Sequence, residues 1–270
     1  MPEYISPSAF ILLRVIGGVI LFFISYKLFI NEKVFKKDIL RLALCGLFGV
    51  AINQLFFFEG LSLTTPINAA IIMTTNPIIV IIISAIILRE KISLLKIIGI
   101  TFGFIGASKL ILSSGGFSFD NDFLIGNSFV FINATSYALY LVLVKDLMKR
   151  YHPITVMFYV FTFGLIFVIP FGYESIQLID LSIFNYEIYM KVLFVLICTT
   201  FIAYLLNAFA LKALNPSTVS VYIYLQPVLA SIVAIFLNSD TLDANKIISA
   251  CFIFIAVFLV SIPIKKVNKN

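Results

Sequence analysis

Apolar residues in this chain fall into long runs separated by short polar connectors. The runs cover roughly 8–30, 39–62, 66–88, 93–112, 123–147, 153–172, 188–211, 215–238 and 246–264. Each is close to the ~20 residues that an α-helix needs to cross a bilayer. The pattern predicts an all-α fold: a polytopic membrane bundle of about nine transmembrane helices. The stretch "ESIQLIDLSIFNYE" (174–187) is too polar to span and is expected to lie at the interface.

Composition removes the soluble alternative. The 270 residues are 61% hydrophobic and 12% charged, against about 25% charged in a soluble domain. The run from Ser8 to Ile30 is too long for the apolar core of a signal peptide, and Glu3 stands where a basic region would precede it.

One pattern occurs twice. "TPINAAIIMTTNP" ends at Pro77 and "NPSTVSVYIYLQP" ends at Pro227. Pro66 and Pro216 open the two helices, where a missing N–H costs nothing. Pro77 and Pro227 follow eleven residues later, each after an amide, Asn76 or Gln226. An internal proline removes a backbone hydrogen bond and bends the helix. In lipid a bend is tolerated where protein or a wet cavity covers it. The two prolines are therefore expected to act as hinges beside a transport pathway. The same 150-residue offset pairs Leu61 with Leu211, Glu90 with Asp240 and Lys96 with Lys246.

Connector charge alternates. Lys27, Lys33, Lys36, Lys37 and Arg41 surround the first connector; Arg89, Lys91 and Lys96 the third; Lys145, Lys149 and Arg150 the fifth; Lys212 the seventh. Acids occupy the others, including Asp120, Asp122, Glu174, Glu187, Asp240 and Asp243. The positive-inside rule puts the N-terminus outside and the C-terminus in the cytoplasm. Equivalent loops then lie on opposite faces, which predicts two inverted repeats. The expected division is 1–112 for the first repeat, 113–122 for a linker and 123–265 for the second. The second repeat has a helix, 123–147, ahead of Pro153, whereas the first starts only a few residues before Pro7. The first repeat is expected to lack its first helix, as a truncated product or, less favoured, as a nine-helix variant.

The ordered motifs resemble the EamA-type family of the drug/metabolite transporter superfamily. They include Pro7 with Arg14, then "NQxxFxxGL" (Asn53, Gln54, Phe57, Gly60, Leu61) and "AAIIxxxxP" (Ala69 to Pro77). "LREKIS" with Glu90 and Gly99 follows, and the second half carries "ALxxLNP", "QP" and Asp240. The resemblance covers essentially the whole chain. It implies two inverted repeats around a central cavity, alternating access and a small-metabolite cargo, including amino acids and drugs.

Candidate site residues follow from polar side chains inside apolar runs. Arg14 lies ~10 Å into its helix at 1.5 Å per residue and is expected to pair with Glu59. Asn53, Gln54, Asn76, Asn133, Tyr137, Tyr204, Asn207, Tyr222 and Gln226 are expected to bind substrate, with interhelical gluing as the alternative. Gly99 and Gly103, with Gly106 beyond, are expected to pack against a neighbouring helix; a homodimer face is the alternative. Cys45, Cys198 and Cys251 read as small packing residues, and His152 as a solvated surface group.

The net charge of +6 lies in short loops, so it gives orientation rather than affinity for nucleic acid. No Walker A loop, metal-ligand spacing or catalytic triad is present, so no cofactor, metal or enzymatic activity is expected. The expected function is secondary transport of a small organic metabolite, an amino acid or related compound, across the plasma membrane, in the export direction. Import of a host-derived metabolite and a non-transporting truncated paralogue are the alternatives.

Overall fold

The computed structural model describes residues 5–30, 32–113, 117, 123–179, 184–237 and 243–262. Among these, nine helices are long and apolar enough to cross a membrane. They are α1 (Pro7–Phe29), α2 (Lys36–Ser62), α3 (Pro66–Ile87), α4 (Leu94–Leu112), α5 (Leu124–Arg150), α6 (Pro153–Gln177), α7 (Tyr186–Ala213), α8 (Pro216–Phe236) and α9 (Ala244–Ser261). Every expected run holds one helix. α6 continues past the expected stop near 172, so Glu174 belongs to it. Asp120, Asp122 and Asp240 lie outside the described residues, as does most of the expected linker.

Local chemistry sets the helix starts. Pro7, Pro66, Pro153 and Pro216 each occupy the first helical position. Thr65 accepts a hydrogen bond from the Asn68 N–H at 3.1 Å, and Asn185 and Asp243 cap α7 and α9 in the same way. His152, expected to be merely solvated, caps α6: its Nδ1 accepts from the Ile154 N–H.

Two kinds of irregularity interrupt the spans. The first is the expected proline bend. α3 breaks at Thr74 and Thr75, one turn before Pro77. Pro77 has no N–H to offer the Met73 carbonyl. The Thr74 and Thr75 hydroxyls bond the Ile71 and Ile72 carbonyls at 2.6 and 2.7 Å, covering backbone that the break exposes. In α8 a single 3₁₀ turn, Tyr222–Tyr224, precedes Pro227. The second irregularity has no sign in the sequence. Leu47–Ile52 in α2 and Val195–Ile202 in α7 are π-helical. They end 150 residues apart, at equivalent positions of the repeated pattern (202 − 52 = 150).

The buried side chains form two main clusters. One joins α1, α2, α5 and α6 through Val15, Phe22, Cys45, Tyr140, Leu141, Met157 and Phe161. The other joins α4, α8 and α9 through Ile100, Ala107, Tyr224, Val228, Ile253 and Val260. α3 touches both, through Val80 and Ile81. Phe23, Leu28, Ile86, Phe171, Phe236 and Phe258 face outward and exposed, as expected of surface that meets lipid rather than water.

The glycine stripe on α4 is used within the chain. A Cβ on Gly99 would come 2.7 Å from a Val260 methyl, and one on Gly106 would come 2.9 Å from the Ser249 carbonyl. On Gly103 it would strike the Tyr224 ring at 2.3 Å. α4 and α9 thus approach closely where side chains are absent. Of the cysteines, Cys45 is buried as expected, but Cys251 is exposed.

Candidate functional site

A cavity of about 800 Å³ lies between the clusters. α1, α2, α5 and α7 form one wall, and α3, α4 and α8 the other. On α3 the lining residues, Pro66 to Thr74, precede the bend; on α8, Ile223 to Ala234, they follow it. Leu61, Pro66 and Ala234 stand near helix ends, so the cavity reaches the end of the bundle away from the basic connectors.

Seven of the expected site residues line it: Arg14, Asn53, Gln54, Asn133, Tyr137, Tyr204 and Gln226. The π segments bring several of them together. Asn53 and Gln54 follow the first segment directly, and Tyr204 comes two residues after the second. The Gln54 amide Nε2 donates to the Tyr204 hydroxyl at 3.4 Å. The Asn133 amide donates to the Asn53 carbonyl at 2.5 Å. The buried Gln54 Oε1 and Asn133 Oδ1 have no hydrogen-bond partner. The rest of the wall is mainly apolar, with Phe57, Phe58, Met73, Ile111 and Ile223.

Arg14 does not pair with Glu59. Its Nε donates to the Thr200 hydroxyl at 3.1 Å, and its guanidinium stands 5.5 Å from the centre of the Phe58 ring. Glu59 is exposed and lines a separate apolar groove of about 430 Å³ with Ala51, Phe56, Phe129 and Phe167. Neighbours in sequence explain the difference: Phe58 turns toward Arg14, and Glu59, one residue later, turns about 100° round the helix. A cation at mid-helix costs about 2.5–3.5 kcal/mol on insertion scales. One hydroxyl and one ring face offset part of that. Thr200 was not foreseen; it sits fully buried inside the second π segment.

Three expected residues and one hinge stand off the cavity. Asn76 is fully buried and donates to the Ala134 carbonyl at 2.7 Å, tying α3 to α5. Asn207 donates to the Tyr137 hydroxyl at 3.0 Å, behind the wall. Tyr222 is exposed on the bundle's outer surface. Pro77 is buried beside Asn76, whereas Pro227 lines the cavity.

Polar contacts close the basic end. Lys96 pairs with Glu90, and the Ser217 hydroxyl meets both, joining α3 and α4 to α8. Glu90 is thus drawn into a buried ion pair. Arg89, in the left-handed region at φ 52°, makes the turn between Glu90 and α3. Lys145 Nζ donates to the Leu211 and Leu214 carbonyls, both at 2.7 Å, joining α5 to the end of α7. Asp38 accepts from Arg150 at 2.5 Å and from the Tyr151 hydroxyl at 2.6 Å. The first, third, fifth and seventh connectors thereby gather at one end of the molecule.

Against known families, residues 1–112 and 124–262 match the model of the EamA-like transporter family. The chain belongs to that family. Similar curated proteins include an "Uncharacterized transporter" of Archaeoglobus fulgidus, 26% identical over 260 residues, covering 96% of this chain and 90% of that protein. "Uncharacterized transporter YyaM" of Bacillus subtilis is 26% identical over 271 residues, covering 98% and 88%. A crystal structure 17% identical to this EamA-like chain superposes with a TM-score of 0.78 over 95% of this chain and 89% of the other, which shows a shared fold. The protein is therefore a multi-pass, all-helical EamA-like transporter.

Proposed function

We propose that this protein is a secondary transporter that moves a small organic metabolite, an amino acid or related compound, across the plasma membrane by alternating access. The observation that carries the reading is the cavity itself. It is large enough for a small metabolite, it reaches one end of the bundle, and its polar residues come from helices of both sequence halves.

With the basic connectors in the cytoplasm, the N-terminus is outside and the conformation described faces outward. The two halves are then inverted repeats. Inward opening requires the Lys96–Glu90–Ser217 contact to break and the cavity halves of α3 and α8 to close over the solute. The bends before Pro77 and Pro227 separate those segments from the segments at the basic end, so they are the natural pivots. Packing supports moving bodies that do not coincide with the two sequence repeats. One buried cluster joins α1, α2, α5, α6 and α7 and the other joins α4, α9 and most of α8, each drawn from both repeats, with α3 and the start of α8 (Val219) between them.

The test is uptake by proteoliposomes holding the purified protein, with a panel of labelled neutral, zwitterionic, anionic and cationic metabolites. Saturable movement of at least one class supports the reading. Protein-independent leakage of every class overturns it.

A further inference from the structure

We infer that the solute is a small organic anion with a single carboxylate, held by the terminal nitrogens of Arg14; the inference rests on the transport reading above. Arg14 is the one formally charged residue among those lining the cavity. Its Nε is committed to Thr200. Among the described residues no carboxylate lies within ion-pair distance of it, and neither Nη atom has a hydrogen-bond partner. The guanidinium is a fork of fixed geometry that matches a carboxylate through two parallel hydrogen bonds.

Charge counting narrows the class. A cation in this cavity would add to an uncompensated positive charge, since among the described residues no Asp or Glu stands in the wall. A dianion would leave an uncompensated negative one. A monocarboxylate brings the site to neutrality. Phe57, Met73, Ile111 and Ile223 provide for an apolar body, and the Tyr204 and Tyr137 hydroxyls provide for one further polar group near the carboxylate.

A consequence follows for energetics. Among the described residues no acid lines the cavity to carry a coupled proton, so on this inference each cycle moves the solute's negative charge alone. An inside-negative potential drives an anion outward, which agrees with export.

The test uses four solutes with one carbon skeleton: 4-methyl-2-oxopentanoate (anion), leucine (zwitterion), 4-methylpentanamide (neutral) and leucinamide (cation). Uptake of each labelled solute by proteoliposomes is measured at equal pH on both sides, and the charge carried is read on a solid-supported membrane. The oxo acid should give saturable uptake and a current of negative sign, and the other three neither. Arg14→Gln should lower that current about tenfold or more, the loss of one charge-assisted contact, and Arg14→Lys should retain part of it. Each variant's melting temperature is read with and without the oxo acid. A folded Arg14→Gln should lose the shift that the anion gives the unaltered protein; where that variant does not fold, the Arg14→Lys current alone decides. A wild-type-sized current in Arg14→Gln, or none in a folded Arg14→Lys, overturns the inference. Saturable transport of leucine, of the neutral solute or of the cationic one, with none of the oxo acid, overturns it and leaves the transport reading standing. No movement of these four or of the wider panel overturns both.

Discussion

Gln54 and Tyr204 occupy equivalent positions of the repeated pattern, 150 residues apart, and they hydrogen-bond to each other. If two halves are related by a two-fold axis, equivalent residues touch only where that axis passes between them. On the inverted-repeat reading the pair would mark that axis; it lies in the wall of the cavity. A solute bound there meets both halves at once.

The pair is expected to matter more for binding than for folding. Interhelical hydrogen bonds in membranes contribute about 0.6 kcal/mol on average, and this one is long. Tyr204→Phe should unfold within about 1 kcal/mol of the unaltered protein. The same change should weaken solute affinity about tenfold, read from the concentration dependence of uptake. Unchanged affinity would remove Tyr204 from the site.

Asn76 should behave in the opposite way. Its amide ties α3 to α5 through the Ala134 carbonyl, away from the cavity. Asn76→Ala should cost about 1 kcal/mol of stability and leave the apparent affinity for the solute unchanged. Denaturation in mixed detergent and a saturation curve on the same preparation separate the two effects.

Glu90 and Lys96 form a buried ion pair at the closed end, with side chains 10% and 6% exposed. Removing one partner leaves the other charge uncompensated, a loss of about 3–5 kcal/mol for a fully buried pair. Glu90→Gln should destabilise the protein by up to that amount. Replacing both, Glu90→Gln with Lys96→Met, should recover most of the loss, because the unpaired charge is then gone. Equal instability of the single and double variants would contradict this.

His152 gives a pH dependence of known sign. It lies between α5 and α6, where burial and then the nearby Lys212 hold its pKa below the ordinary imidazole value, opposed by Glu32. The neutral ring accepts the Ile154 N–H; the protonated ring cannot. Because the folded pKa is the lower one, this contribution is complete above the unfolded value, about 6.5. It is lost as pH falls through the folded value. His152→Asn, which keeps a capping oxygen, should flatten that part of the stability profile between pH 7 and 5. An unchanged slope would assign the dependence to other groups.

Much of this was legible in the chain before the coordinates. Run length and charge gave the nine spans, because a bilayer imposes a length that a soluble core does not. Polar residues inside apolar runs marked most of the cavity wall, since lipid excludes them. Which way they turn was harder to see. Asn76 and Gln226 are equivalent by sequence, yet one is spent on a neighbouring carbonyl and the other faces the cavity. The π segments were invisible because an extra residue in a turn leaves no compositional trace. They shift the phase of everything that follows in α2 and α7.

The central claim is that the contact at the basic end must open for solute to cross. With Cys45, Cys198 and Cys251 first replaced by serine or alanine, and Lys96 by methionine so that no unpaired charge is left, Glu90→Cys and Ser217→Cys place two thiols where the end of α3 and the start of α8 meet. Transport by this variant is measured in proteoliposomes before oxidation, after oxidation and after reduction. The account predicts that the disulfide stops uptake and that reduction restores it to the level before oxidation. Undiminished uptake by the fully cross-linked protein would contradict it.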